Sequence, residues 1–240
     1  MKVRVRFSKK GSMKFIGHLD VMRYFQKLIR RAGLEVAFSE GFNPHMIMSF
    51  ASPLGIGLTS DAEYMDIELL SPVSSREAIE RLNQVGTEEL AVTGFVQIPE
   101  GKASKAMTLV AAADYTVCFR AGHEPAADWK SDLADFFARE SIPVMKKTKR
   151  SEKEVDIRPM IYEWAFRDED DTIFLKLASG SVANLKPELV LDTYLTTLGI
   201  EPDPFAYEIN RCEIYADMGT EDSRKLVSLY DLGTKISLFR

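Results

Sequence analysis

The sequence predicts an α+β protein made of two tandem ferredoxin-like units, each with the order βαββαβ and an antiparallel sheet. Three observations support this fold class. Segments in which apolar and polar residues alternate, as in half-buried strands, are interspersed with segments whose apolar residues recur every three or four positions, as in helices. Glycine, proline and capping residues separate these segments. The same order of elements then occurs a second time within the 240 residues, a length that allows two small domains.

The predicted boundaries follow from this repeated order. Residues 1–99 form the first unit, 100–113 a linker with helical character, 114–217 the second unit and 218–240 a C-terminal tail. The two halves share no evident side-by-side identity, so the repeat is one of element order rather than of sequence.

The first unit opens with a strand at residues 2–7, where apolar and basic residues alternate strictly. The helix that follows covers residues 18–32 and ends at Gly33. Cations recur along this helix at four-residue spacings, which predicts a basic stripe. The cations of the strand face are Lys2, Arg4 and Arg6, and those of the stripe are Arg23, Lys27 and Arg31.

The remaining elements of the first unit complete the predicted order. Residues 34–38 predict a short strand, and residues 46–50 an additional extended segment. Residues 64–70 alternate and predict the next strand. Ser74 to Glu77 form a capping box that starts the second helix, and residues 89–98 predict the closing strand.

The second unit repeats this order with its own elements. Strands are predicted at residues 115–119, 142–147, 160–166, 172–177 and 205–215, and helices near residues 129–137 and 187–198. A basic excursion, residues 146–158, interrupts the order after the second of these strands.

Charge is distributed unevenly along the chain, although the net charge is -5. Residues 1–31 contain ten lysines and arginines and a single acid, Asp20. This one-sidedness predicts an anionic partner, for which we favour RNA. A solvated charged face is the alternative. The predicted phosphate contacts are Lys2, Arg4, Arg6, Arg23, Lys27, Arg31, Lys146, Lys147, Lys149 and Arg150.

The stretch from Ser39 to Gly57 departs most from ordinary packing, because its glycines and prolines force turns in a largely apolar run. Its most distinctive part, the signature loop, consists of Gly41, Phe42, Asn43, Pro44 and His45. This loop and the basic excursion follow equivalent elements in the two units, so we expect both to border one basic groove. Asn43 and His45 are then expected to face the same groove as the three cations of the first strand.

Two histidines are candidates for a general acid or base in RNA cleavage: His18 at a helix start and His45 in the signature loop. The alternative is structural, since a histidine in a Gly-Pro loop often bonds backbone carbonyls. The catalytic residues therefore stay unassigned. No metal site is predicted, because no two histidines have a helical ligand spacing. No cofactor is predicted either, because Gly55-Ile-Gly57 matches neither a dinucleotide fingerprint nor a P-loop.

The composition favours a soluble cytoplasmic protein. Cys118 and Cys212 lie far apart and fit no metal spacing, which is typical of a reducing compartment. The residues from Met1 to Phe7 do not read as a signal peptide, and no apolar run approaches the roughly 20 residues of a membrane span. No membrane partner is expected. The oligomeric state stays open.

Four motifs resemble one known family. They are Phe15-Ile-Gly-His-Leu-Asp20, Gly41-Phe-Asn-Pro-His45, Ser52-Pro-Leu-Gly55 and Val155-Asp-Ile-Arg-Pro159. In this order they resemble the radical-SAM-linked proteins, an uncharacterised family found beside or fused to radical SAM enzymes. The resemblance extends from Lys2 to Tyr215, although Met46 stands where members tend to have proline.

The resemblance implies partnership with a radical SAM enzyme. Such enzymes hold their cluster through three cysteines in a Cys-x-x-x-Cys-x-x-Cys run, which two isolated cysteines cannot supply. The tandem architecture with a basic groove also resembles Cas6-type RNA-processing proteins, a likeness of fold alone. We therefore expect an RNA-binding accessory protein that acts with a radical SAM enzyme in RNA modification or processing. The alternatives are a protein-docking partner without RNA contact and a metal-independent Cas6-like endoribonuclease.

Overall fold

The computed structural model describes residues 1–101, 104–125, 128–147, 152–167, 171–220 and 223–238. The chain forms two units, one made of residues 1–112 with 211–240 and the other of residues 113–210. It is a mixed α+β protein whose sheet pairings are mostly antiparallel, as the sequence predicts. No helix within the described residues is long and apolar enough to cross a membrane.

The strands of the described residues, in chain order, are β1 (Lys2–Lys9), β2 (Met48–Phe50), β3 (Thr59–Glu68), β4 (Val92–Gln97), β5 (Val110–Phe119), β6 (Pro143–Lys147), β7 (Glu152–Asp156), β8 (Ile161–Arg167), β9 (Thr172–Ala178), β10 (Tyr207–Asp217), β11 (Leu226–Ser228) and β12 (Thr234–Lys235). The α-helices are α1 (His18–Arg31), α2 (Ser75–Gln84), α3 (Ala106–Leu109), α4 (Trp129–Ala138) and α5 (Pro187–Thr197). Short 3₁₀ turns occur at Gly11–Phe15, Glu88–Leu90 and Arg158–Met160.

In the first unit β1 is a central strand, because β3 pairs with one of its edges and β4 with the other, both antiparallel. β2 pairs with β3, and β12 pairs with β4. The C-terminal part of β10 also lies beside β3, and β11 pairs with β10. The strand order within the unit is therefore β4-β1-β3-β2, with β1 between two neighbouring strands.

One face of β1 forms the core of the first unit. Val3, Val5 and Phe7 are fully buried and belong to the same apolar cluster as Phe25 and Ile29 of α1. Burying each such side chain contributes about 1.5–3 kcal/mol. The predicted alternation and the predicted helix are confirmed. Two local signals are confirmed as well. Gly33 follows the helix in the left-handed conformation at φ +63. The hydroxyl of Ser74 accepts a hydrogen bond from the backbone N–H of Glu77 and so caps α2.

The opposite face of β1 is covered by a segment that the sequence predicts to be an appended tail. Residues 211–240 belong to the first unit, Leu229 is fully buried, and β12 extends the sheet beside β4. The backbone N–H of Ile236 also bonds the hydroxyl of Ser75 at the start of α2. The strands involved are two and three residues long, too short to show an alternating pattern.

The segment between α1 and β2 is less regular than predicted. Residues 34–38 make two isolated bridges, Val36 with Leu69 and Phe38 with Met46, in place of a continuous strand. The paired strand lies at Met48–Phe50, within the additional extended segment that the sequence indicates. The signature loop lies between the two residues of the Phe38–Met46 bridge.

In the second unit the strand order is β10-β5-β9-β8, and β8 pairs antiparallel with β9. The helices bury the apolar residues expected from their spacing, among them Leu133 and Phe137 of α4 and Val190 and Leu195 of α5. Pro187 occupies the first turn of α5 as predicted. The basic excursion begins in a separate two-stranded hairpin, in which β6 pairs with β7.

Candidate functional site

The signature loop is closed by its flanking residues and projects into solvent. Ser39 donates its backbone N–H to the carbonyl of His45 at 2.8 Å, and His45 donates its own N–H to the hydroxyl of Ser39 at 3.1 Å. Gly41 adopts φ +107, a conformation that favours glycine. Phe42 at the tip is fully exposed. The glycine and proline of the loop therefore serve its shape, whatever the loop binds.

The chain after the loop borders a cavity. His45, Ile47, Met48 and Ser49 line a pocket of about 180 Å³. Met46 is buried, and Met48 also packs against the core cluster. We call this cavity the loop pocket.

Neighbouring strands supply the rest of the loop pocket. Lys2 of β1 and Glu68 of β3 are cross-strand partners, and both line the cavity together with Ile98 and Lys105. Lys2 and His45 thus line one cavity. Asn43, Arg4 and Arg6 are not among its lining residues, and the groove predicted to be shared by the loop, the three cations and the basic excursion stays a prediction.

The floor of the loop pocket is formed by Asp66 and Ser104, both of which accept hydrogen bonds from the buried Arg4. Arg4 donates to both carboxylate oxygens of Asp66, at 2.8 and 3.2 Å. Its guanidinium also donates to the carbonyls of Ser104 at 2.7 Å and Leu229 at 2.9 Å, and the N–H of Ala106 donates to Asp66 at 2.7 Å. Arg4 is 0% exposed. The prediction that Arg4 contacts phosphate is therefore wrong for this structure, because protein acceptors engage its guanidinium away from solvent.

Arg6 is also committed to the protein. Its guanidinium lies 3.2 Å from the carboxylate of Glu213, which accepts the hydroxyl of Tyr64 at 2.5 Å. Burial raises the pKa of Glu213, and burial together with the Glu213 charge raises the pKa of Tyr64. Arg6 is partly exposed, but its first role is to offset the charge of a buried acid.

Several polar groups of the loop pocket remain available. Within the described part of the chain, no hydrogen bond or ion pair engages the carboxylate of Glu68, the ammonium of Lys105 or Nε2 of His45. Lys2 faces Glu100 at 3.4 Å, and its partner is largely exposed. The pocket thus combines apolar walls with cations and one uncommitted carboxylate.

The predicted basic stripe is real and exposed. Arg23 pairs with Asp20 at 3.3 Å. Lys27 and Arg31 are exposed, as is Arg30, which the sequence argument omitted. Among the described residues, none of these three has an ion-pair partner. Because α1 packs on the face of β1 that carries Val3 and Phe7, the stripe and the loop pocket lie on different faces of the first unit's sheet. The predicted phosphate contacts of this unit therefore form two surfaces rather than one.

The remaining predicted contacts lie in the basic excursion. Lys149 and Arg150 lie outside the described residues, as do the side chains of Lys146 and Lys147. The backbone of the latter two belongs to β6. Their predicted role in RNA binding stays a prediction.

His18 lines a small cavity beside a second cluster of buried charges, which we call the Lys9 cluster. Lys9 is 2% exposed and donates to the carbonyls of Ile16 at 3.0 Å and Lys14 at 3.4 Å. Burial lowers the pKa of Lys9, although the neighbouring Glu63 raises it. Glu63 in turn accepts two hydrogen bonds from Arg211, at 2.8 and 2.5 Å.

The Lys9 cluster joins two of the sequence motifs. Arg211 donates to the carbonyl of Ser52 at 2.9 Å, and His18 packs edge-on against Phe50 with the ring centroids 5.0 Å apart. The cavity between them has a volume of about 20 Å³, close to that of one water probe. His18 therefore lines a space too small for a nucleotide, and its nearest contacts are structural.

Sequence reasoning missed six residues of the loop pocket, which are Asp66, Ile67, Glu68, Ile98, Ser104 and Lys105. Glu68 is predictable in hindsight, because it is the residue of β3 opposite Lys2. Ile98 precedes the region predicted as a linker and Lys105 lies within it, and their placement depends on how residues 98–101 and 104–106 pack against the sheet. No local pattern signals that packing.

The fold and the site together describe an α+β protein with a small mixed pocket under an exposed loop and a basic helix on the other face of one sheet. The chain belongs to a family described as uncharacterised proteins conserved in bacteria, the DUF2344 family, whose model matches residues 2–187. That match includes the signature loop, α1 and the Lys9 residue. No curated protein matches the chain significantly.

Proposed function

We propose that the protein binds RNA through phosphate contacts and acts as an accessory to a radical SAM enzyme that modifies or processes that RNA. One observation carries the RNA part. Lys27, Arg30 and Arg31 are exposed on one helix without carboxylate partners among the described residues, in a chain whose net charge is -5. Such a local excess of unpaired cations attracts a polyanion and releases its counterions.

The partner enzyme is supported by the motif resemblance to radical-SAM-linked proteins. Three of the four motifs lie in the first unit, two around the Lys9 cluster and one at the signature loop. The two cysteines of the chain cannot hold a cluster, so the radical chemistry belongs to the partner. The accessory would present RNA to it.

We also propose that each unit is a variant of the ferredoxin-like fold. The strand orders β4-β1-β3-β2 and β10-β5-β9-β8 support this. When the strands are counted within each βαββαβ unit, both orders are fourth, first, third, second. The hairpin of β6 and β7 is then an insertion in the second unit.

Protein docking at the signature loop is the second candidate function. Phe42 is fully exposed, and Phe38 and Ile47 are exposed nearby in the chain; exposed apolar side chains that form one patch mark protein-docking sites. Capture of the radical SAM enzyme with the wild-type protein and with Phe42→Ala, each with and without nuclease, separates the candidates. A complex that survives nuclease and depends on Phe42 favours docking.

The test of RNA binding is the salt dependence of affinity. The triple substitution Lys27→Gln, Arg30→Gln and Arg31→Gln should lower the slope of log affinity against log salt by about 2, since each phosphate contact to a single strand adds roughly 0.7. Arg76→Gln is the matched control, because Arg76 is an exposed cation on α2 that already pairs with Glu80 at 2.7 Å.

Two results would count against the proposal. An unchanged slope in the triple variant would show that α1 does not contact phosphate. Absence of salt-dependent RNA binding by the wild-type protein would remove RNA as the partner.

A further inference from the structure

We propose that the loop pocket is a subsite for one unstacked nucleotide of the RNA and that Glu68 selects guanine there. This inference rests on the proposed function, which supplies RNA as the ligand. It deepens that function by adding a base-reading site to a phosphate-binding helix. Sequence-specific RNA recognition generally uses such splayed-out bases in pockets.

The size and walls of the pocket suit a planar, partly apolar group. Its volume is about 180 Å³, more than ten times the roughly 10–15 Å³ that one water probe occupies. Apolar surface comes from Ile47, which follows the signature loop, and from Ile98, which follows β4. A nucleobase has two apolar faces and a polar edge, so it can lie against such walls while its edge reaches the charged residues.

The floor of the pocket is preorganised. Arg4 and Asp66 hold each other through two hydrogen bonds, and Ser104 and Ala106 fix them further. Ser104 itself is held by its hydroxyl, which donates to the carbonyl of Pro99 at 2.6 Å. A ligand would therefore meet a cavity whose shape is already set, which lowers the conformational cost of binding.

Glu68 is the residue that gives the pocket its selectivity. Its carboxylate is half-buried, lines the cavity and has no partner among the described residues. A carboxylate has two acceptor oxygens. The Watson–Crick edge of guanine presents two adjacent donors, N1–H and the N2 amino group, which match both oxygens at once. Adenine and uracil present donors next to acceptors, which a carboxylate repels.

The rim of the pocket suits the phosphate of the same nucleotide. Lys2 and the exposed Lys105 supply positive charge. His45 adds a directed donor: the hydroxyl of Ser39 accepts the N–H of His45, so its own proton can go to Nδ1 of the ring, 2.8 Å away. The other ring nitrogen, Nε2, can donate to a phosphate oxygen when it carries a proton.

The experiment measures binding of GMP, AMP and UMP to the full chain by titration calorimetry, with RNA binding measured in parallel. We expect GMP to bind about tenfold or more tightly than UMP or AMP, in line with the discrimination that a bidentate base contact provides. Glu68→Gln should abolish this preference, because the amide offers one acceptor in place of two. The α1 triple variant should bind GMP as the wild-type protein does.

A second variant guards against loss of folding. Ser49→Leu places a larger apolar side chain of β2 in the cavity, so it should weaken the binding of GMP. A thermal melt of the same variant verifies that it folds. Equal affinity for the three nucleotides, or a Glu68→Gln variant that keeps the preference, overturns the guanine subsite but leaves the α1 test of RNA binding intact. Selective GMP binding without any RNA binding overturns the proposed function and with it the role of the pocket as an RNA subsite.

Discussion

The Lys9 cluster and the loop pocket both contain charged residues of the first unit, but they differ in how those charges are satisfied. In the Lys9 cluster, Lys9 donates hydrogen bonds to two carbonyls, and both carboxylate oxygens of Glu63 accept hydrogen bonds from Arg211. The cavity beside them has a volume of about 20 Å³. In the loop pocket, Asp66 of the floor pairs with the buried Arg4, whereas Glu68 and Lys105 have no side-chain partner among the residues that the structure describes. The charges of the Lys9 cluster are satisfied within the protein, whereas charged groups of the loop pocket are available to bind a ligand.

This difference separates two kinds of motif residue. A buried charge whose hydrogen bonds are all made by the protein supports the fold, since a missing partner would cost several kcal/mol. A charge at the edge of a cavity without a partner contributes little to the fold and is available for binding. The motifs around His18 and Ser52 fall in the first class, and His45 with its neighbours falls in the second.

The largest expected effect is on stability in the Lys9 cluster. Arg211→Ala should lower the free energy of unfolding by about 3–5 kcal/mol, because it leaves the buried carboxylate of Glu63 without its partner. Denaturant unfolding measures this. The control is the double substitution Glu63→Leu with Arg211→Met, which removes both charges and should recover most of the stability. A loss below about 1 kcal/mol in Arg211→Ala would show that the pair is not buried as described.

Arg4 tests the floor of the loop pocket. Arg4→Lys keeps the charge but cannot reproduce the planar contacts to Asp66 and Leu229, so we expect a loss of about 2 kcal/mol. The salt slope of RNA binding should not change, since Arg4 contacts no phosphate. A reduced slope with intact folding would restore Arg4 as a phosphate contact and contradict its structural assignment.

Glu213 gives a pH test of an acid that is buried yet paired. Because burial raises its pKa in the folded state, the folded protein holds this proton to higher pH than the unfolded chain does. Its stabilising contribution is therefore complete below the ordinary glutamate pKa and is lost as the pH rises through the raised pKa. Glu213→Gln should flatten the decline of unfolding free energy in that window, measured by denaturant titration at a series of pH values. An unchanged pH slope would contradict the burial of this acid.

The smallest effect is expected at the rim. Lys105→Gln should change the free energy of unfolding by no more than about 0.5 kcal/mol, because an exposed side chain without partners does little for the fold. It should nevertheless lower the salt slope of RNA binding by about 0.7, the value for one phosphate contact. Equal slopes in the variant and the wild-type protein would place Lys105 outside the interface.

The parts of the fold that depend on local pattern were predictable from the sequence. The alternation of β1, the spacing of α1, the capping box at Ser74 and the proline at the start of α5 all depend on neighbouring residues, and each is confirmed. Gly33, the left-handed glycine after α1, is also a local signal. Each of these signals determines the conformation of residues only a few positions away.

The candidate site was less predictable, because it depends on which segments cover the second face of β1. A pattern of alternating cations indicates a solvated face, but residues 104 and 229 fold over that face and bury Arg4. The short strand β12 and the placement of Lys105 likewise depend on contacts between segments that are far apart in the sequence. Contacts between residues about 100 or more positions apart leave no local signal, so the sequence found His45 and Lys2 but not their neighbours.

Crosslinking of RNA to the protein in cells, followed by mapping of the crosslinked peptides, tests whether the first unit binds RNA. We predict crosslinks in two places of the first unit: the exposed face of α1 from Arg23 to Arg31, and the segment from His45 to Ser49 beside the loop pocket. Guanine should be the base crosslinked to the second site. Recovery of no RNA, or of crosslinks confined to peptides outside the first unit, would contradict the central claim that this unit holds RNA by a basic helix and a base pocket.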